Sequence, residues 1–113
     1  LKTELTTLLK KLKREGKSIV GYGAAAKGTV LLNYFKIGPE LVTYVVDKNP
    51  LKQGMYIPGM KMPVYGPQKL MEDKPDYVLL LVWNIAEEVM KEQSAFAKAG
   101  GKFIIPIPKP KIV

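Results

Sequence analysis

A chain of 113 residues, 47% hydrophobic and 25% charged, is enough for one ordinary globular core. It contains no cysteine and no histidine, which removes disulfides, thiolate nucleophiles, the usual general base and the commonest metal ligands, and weighs against an enzyme acting alone. The formal charge of +8, from 18 Lys and Arg against 10 Asp and Glu, favours anionic partners.

No run of about 18 apolar residues could span a membrane, and no basic-then-apolar leader opens the chain, so a cytoplasmic location is expected. The chain begins at Leu1, already in a helical pattern, so residues 1–113 are expected to be a single domain excised from a longer protein. Leu5, Leu8, Leu9 and Leu12 form one stripe of an amphipathic helix that stops near Gly16. The basic run at Lys10 to Arg14 reads as the solvated face of that helix. The other lysines are scattered and no nucleic-acid motif accompanies them, so nucleic acid is not an expected partner.

"SIVGYG", Ser18 to Gly23, is a short apolar strand, and Val30, Leu31, Tyr34 and Phe35 then fall at helical spacing before Gly38-Pro39. "LVTYVVD", Leu41 to Asp47, is a continuous β-branched apolar run, as in a parallel strand covered on both faces. A Gly- and Pro-rich loop follows, with a short strand at Met62 to Tyr65 and a short helix from Pro67 to Asp73. Asp76 to Trp83 is another buried strand. Asn84 then caps a helix whose inner face is Ile85, Ala86, Val89, Met90, Gln93, Phe96 and Ala97, with Glu87 completing a capping box and Gly100-Gly101 ending it. "KFIIPIP" is a last strand that leaves the sheet or lies at its edge because of Pro106 and Pro108. Alternating strands and helices predict an α/β fold: a Rossmann-like, three-layer, doubly wound and mostly parallel sheet of about four to five strands, with an N-terminal amphipathic helix.

Gly21, Gly23 and Ala26 form Gly-x-Gly-x-x-Ala between a predicted strand and a predicted helix, the context of a dinucleotide fingerprint. Gly21 permits the tight turn, Gly23 lets a phosphate approach the backbone, and Ala26 allows close helix-strand packing. Asp47 ends the next strand, where such folds place the acid that bonds a ribose hydroxyl. Lys27 is the one charged side chain in the turn, unfavourable to the helix dipole unless an anion compensates, and is the preferred phosphate ligand. Trp83 and Asn84, at the end of another strand, line the same crevice if the sheet order is the usual one. Tyr22, Tyr56 and Tyr65 are candidates to stack on a base or sugar, or to pack. No acid pair, metal cluster or nucleophile beside a base is visible, so no catalytic residue and no metal ligand is assigned. A fold of this kind needs the same glycines merely to turn, so the residues alone leave the ligand open and point first to NAD.

The stretches "GYGAAAKG", "VVDKNPLKQG", "VWN" and "GGKFIIPIP" together closely resemble the C-terminal domain of S-adenosylmethionine-dependent nucleotide-sugar C-methyltransferases, from about Leu5 to Val113. The resemblance implies a three-part enzyme of which this is the third part. The cysteine-bearing zinc module and the methyltransferase domain that holds S-adenosylmethionine both lie outside this chain. It implies removal of a proton next to the keto group of a nucleoside-diphosphate deoxyketosugar, then attack of the enolate carbon on the methyl sulfonium. This domain, inactive alone and needing no cofactor of its own, would form a wall of the sugar-nucleotide cleft. The matching substrate-binding positions are Gly21, Tyr22, Gly23, Ala24, Ala25, Ala26, Lys27, Gly28, Asp47, Asn49, Trp83 and Asn84, and the wall takes in the loop from Asp47 to Gly54. Its partners are then a nucleoside-diphosphate sugar and the missing catalytic domain. The alternative is a stand-alone NAD(P)- or nucleotide-binding module, against which stand the absence of a second nucleotide-binding half and of hydride-transfer machinery.

Overall fold

The computed structural model describes residues 2–107 and 110–113. Helix α1 (Lys2–Arg14) precedes β1 (Ile19–Tyr22), α2 (Ala26–Tyr34), β2 (Val45–Val46) and β3 (Val64–Tyr65). Then come α3 (Lys69–Asp73), β4 (Tyr77–Leu80), a 3-10 turn (Trp83–Ile85), α4 (Ala86–Glu92), α5 (Ser94–Lys98), β5 (Lys102–Ile105) and β6 (Lys111–Ile112). The sheet order is β3-β2-β1-β4-β5-β6. All pairs are parallel except the last, in which β6 runs antiparallel to β5. The first five strands therefore have the doubly wound order, and the chain reverses direction across the sheet between β1 and β4.

Alternation along the strands divides the core in two. Ile19, Val45, Val64, Leu79, Leu81 and Ile104 face the layer of α1 and α2. Val20, Tyr22, Val46, Val78, Leu80 and Phe103 face α3, α4 and α5. The leucine stripe of α1 behaves as predicted: Leu5, Leu9 and Leu12 are buried and Leu8 packs beside them. Lys10, Lys11 and Arg14 are exposed, and Lys11, Lys13 and Arg14 sit in the helix's last turn, where cations complement the dipole. At the other end of β1, the Ser18 amide donates to Asp76 Oδ2 at 2.8 Å and the Asp76 amide donates to Ser18 Oγ at 3.0 Å. This reciprocal clasp sets the register of β1 against β4.

Four elements differ from expectation. The strand predicted over Leu41 to Asp47 is assigned only at Val45–Val46, because the Leu41 and Val42 amides both donate to the Gly38 carbonyl and wrap the turn after Pro39. Burial of Leu41 and Val42 made them look like strand residues. The helix predicted from Asn84 breaks at Gln93 into α4 and α5; Ile85 and Ala97 are exposed, while Ala86, Val89 and Phe96 form the inner face. Asn84 lies inside the 3-10 turn and caps nothing: α4 starts after Ile85 without a side-chain cap. A sixth strand, β6, closes the edge beside β5 after Pro106; the Pro108 expected to deflect that strand lies outside the described residues. Among the described residues no helix is long and apolar enough to cross a membrane.

Candidate functional site

The turn after β1 is shaped by three glycines at Gly-x-Gly-x4-Gly spacing. A Cβ on Gly21 would stand 3.0 Å from Leu81 Cδ1 and 3.1 Å from Val45 Cγ2, so the strand ends close together only without one. Gly23 has φ +103°, and a Cβ there would meet Val82 Cγ1 at 2.6 Å. Gly28 is buried, its position for a Cβ lying 2.8 Å from Leu81 Cβ and 3.2 Å from the Gly23 carbonyl oxygen. Close packing of helix on strand therefore falls to Gly28, not to Ala26 as the sequence pattern predicts. Ala26 is exposed, with Ala25 and Lys27, at the mouth of the turn.

The turn is held from below by Asp47. Its Oδ2 accepts from the Ala24 amide at 2.7 Å and its Oδ1 from the Asn49 amide at 2.8 Å. Gln53 Nε2 donates to the Asp47 carbonyl at 2.9 Å, and Asn49 Oδ1 accepts from the Leu51 amide at 3.0 Å. The acid at the end of β2 is thus a clasp between the glycine turn and the next loop, and Asn49 shapes that loop. Helix α2 begins at Ala25 with no side-chain cap and no acidic residue in its first turn. Its N-terminal end carries amide donors and the Lys27 ammonium without a built-in anion.

Two apolar grooves flank α2. One, of about 360 Å³, runs between α2 and the loop after β2; Ala24, Ala26, Thr29 and Val30 face Lys52, Met55 and Tyr56 across it. Asn33 ties the two walls, its Nδ2 donating to the Thr29 carbonyl at 2.9 Å and to the Pro58 carbonyl at 3.3 Å. The other, of about 490 Å³, lies between α2 and the end of β4, where Ala26, Lys27, Val30 and Tyr34 face Trp83 and Ile107. Among the described residues each groove has one lysine and no acid in its lining.

The structure therefore brings Ala26, Lys27 and Trp83 to one crevice at the carboxyl ends of β1 and β4, with Ala24 in the neighbouring groove on the other side of Ala26. Gly21, Gly23 and Gly28 are buried beneath it and give it shape. Asn84 stands on the far side of Trp83, in a depression with Glu87 and Glu88. Tyr22 is displaced from the expected stacking role: strand alternation sends its ring into the opposite core layer, where it is buried. Burial pushes its phenol up, and the Glu92 charge adds to that. Tyr44, also buried, is pushed up first by burial and then by Asp73. Tyr65 meets Tyr44 edge-on at 5.2 Å, with the Lys69 ammonium 4.9 Å over its ring. Above the Tyr22 end of β1, Lys48 pairs with Glu92 at 2.9 Å, which holds the ammonium above its ordinary range.

Sequence reasoning missed Met55 and Val30 as groove residues. They are assembled by the loop's folding onto α2, which no local pattern encodes. Among the described residues no three metal-binding side chains converge.

A family model described as the C-methyltransferase C-terminal domain matches residues 1–108. C-methyltransferase NovU of Streptomyces niveus is 35% identical over 113 residues, which are 100% of this chain and 27% of that protein. The chain thus spans about a quarter of this curated relative. Among solved structures, UDP-D-quinovosamine 4-dehydrogenase from Vibrio fischeri matches with a TM-score of 0.58 and 20% identity, over 86% of this chain and 93% of that one. At that identity the likeness establishes the Rossmann-like fold.

Proposed function

The chain belongs to the family of C-methyltransferase C-terminal domains, and we propose that within such an enzyme it binds a nucleoside-diphosphate sugar and forms one wall of the cleft in which that sugar is methylated. The observation that carries this reading is the start of α2. There an uncapped helix end and Lys27 meet two apolar grooves at the carboxyl ends of β1 and β4. A diphosphate against Lys27 and the first-turn amides satisfies the helix dipole. The base then takes the groove under Tyr56 and Met55, and the sugar faces Trp83. Lys52 stands where it can neutralise a second phosphate charge.

The chain supplies binding and orientation, with proton removal and methyl transfer assigned to the rest of the enzyme. One turn cannot hold both the nucleotide sugar and S-adenosylmethionine. The donor is assigned to the part of the enzyme outside this chain. Dinucleotide binding would draw on Asp47 for a ribose, a second task for a carboxylate that already holds the Ala24 and Asn49 amides.

Calorimetric titration with a thymidine-diphosphate deoxyketosugar tests the reading. Lys27→Ala is expected to weaken binding about tenfold, the loss of one charge-assisted contact. Equal affinity of wild type and variant would remove the phosphate assignment.

A further inference from the structure

Helix α2 turns two large apolar side chains to solvent, one at mid-length and one at its last residue. Val30 is 66% and Tyr34 65% exposed, although the neighbouring Leu31 and Leu32 are buried. They form a ridge between the two grooves: Val30 lines both, and Tyr34 lines the one floored by Leu31 and Phe35 and walled by Trp83 and Ile107. Across the first groove Met55 and Tyr56 are also largely exposed, so the apolar surface continues over the loop. An apolar surface of this kind on a small domain marks a place that something else covers.

We propose that this α2 face is the docking surface for the catalytic portion of the C-methyltransferase polypeptide, through an apolar patch. The proposal rests on the function read above and adds to it the surface by which the two parts meet. Two observations select that occupant. The relative that this chain matches along its entire length is nearly four times longer, so about three quarters of such an enzyme lies outside the matched region. The ridge is continuous with the candidate cleft, since Ala26, Lys27 and Trp83 share a groove with Tyr34. A body seated on Val30 and Tyr34 would therefore also roof the crevice where the sugar is placed.

The absence of cysteine makes the test direct. Val30→Cys, Tyr34→Cys and, on the exposed surface of α4, Lys91→Cys are each treated with a maleimide, and the rate is read at the engineered peptide by mass spectrometry. The 113-residue chain and the complete polypeptide its gene encodes are compared. In the chain all three positions are expected to react at similar rates. In the complete polypeptide positions 30 and 34 should slow by at least about tenfold, as burial demands, with position 91 unchanged. Undiminished labelling at 30 and 34 in the complete polypeptide overturns the proposal. So does slow labelling that appears already in the chain and grows with its concentration, which would make a second copy the occupant. Titration of Lys27→Ala with the nucleotide sugar is read separately, so loss of ligand binding with protection retained would fail the functional reading and leave the docking surface standing. Should a cysteine variant lose its fold by circular dichroism, Val30→Lys with Tyr34→Lys replaces it. That pair should leave the thermal midpoint of the chain unchanged and make the complete polypeptide more open to limited proteolysis; no change in proteolysis counts against docking.

Discussion

Replacing Gly23 by alanine places two separate loads on the turn. The first is conformational: φ is +103°, a region where an L side chain costs about 1–2 kcal/mol. The second is steric, because the new Cβ lies 2.6 Å from Val82 Cγ1 and 3.1 Å from Cγ2, and overpacking of this sort costs about 1–3 kcal/mol. Together they amount to about 2–5 kcal/mol, a large share of the roughly 5–15 kcal/mol by which a domain is stable. At about 4 °C per kcal/mol for a domain near this size, the thermal midpoint should fall by roughly 8–20 °C. Gly100→Ala is the internal control. Its φ is +102° but nothing lies within 4 Å of the added atom, so only the first load applies. Val82→Ala removes both γ carbons and leaves Val82 Cβ at 3.4 Å, an ordinary contact, so in the Gly23→Ala background it should recover most of the steric part. Urea titrations of the four proteins yield a coupling between positions 23 and 82 of about 1–3 kcal/mol. If Gly23→Ala costs no more than Gly100→Ala, or the coupling is absent, the close approach of the turn to the end of β4 is refuted.

Gly28→Ala has no conformational load but presses on Leu81 Cβ and the Gly23 carbonyl, neither of which can swing away; urea denaturation should show a loss of about 1–3 kcal/mol. Asp47→Ala leaves the Ala24 and Asn49 amides without their acceptor and should cost about 1–3 kcal/mol in the same assay, with Asp47→Asn falling between it and wild type. The buried phenols of Tyr22 and Tyr44 hold their protons above the ordinary value of 10.0. As pH rises through that value, the unfolded chain therefore ionises first and binds fewer protons than the folded one. Their contribution is complete below about pH 10 and is lost above it. Stability measured from pH 8 to 11 should fall on the alkaline side, and Tyr22→Phe with Tyr44→Phe should flatten that fall.

What the sequence made legible follows from short-range physics. The leucine stripe of α1, the apolar cores of β1, β4 and β5, and the small-residue turn before α2 are set by periodicity and by glycine. They appear where expected. Gly28 was within reach of the same logic: its spacing from Gly23 is longer than the fingerprint's, and Ala26 satisfied the pattern first. Asp47 was placed correctly at the end of its strand, but its two hydrogen bonds to the turn depend on how the loop folds back, which one acid in one position cannot reveal. Tyr22 illustrates the limit from the other side. Its sequence context left stacking and packing both open, whereas a period of two sends its ring to the opposite layer. The grooves beside α2 were illegible because their walls are far apart in sequence and are joined through Asn33, a residue with no distinguishing local signal.

The most direct test of the central claim is an amide NMR titration of this domain with a nucleoside-diphosphate deoxyketosugar, NAD and S-adenosylmethionine in parallel. The account predicts shifts with the sugar nucleotide alone, concentrated at Ala24 to Gly28 and extending to Tyr56 and Trp83. Selective shifts with NAD, or none at Ala24 to Gly28 at millimolar sugar nucleotide, would contradict it.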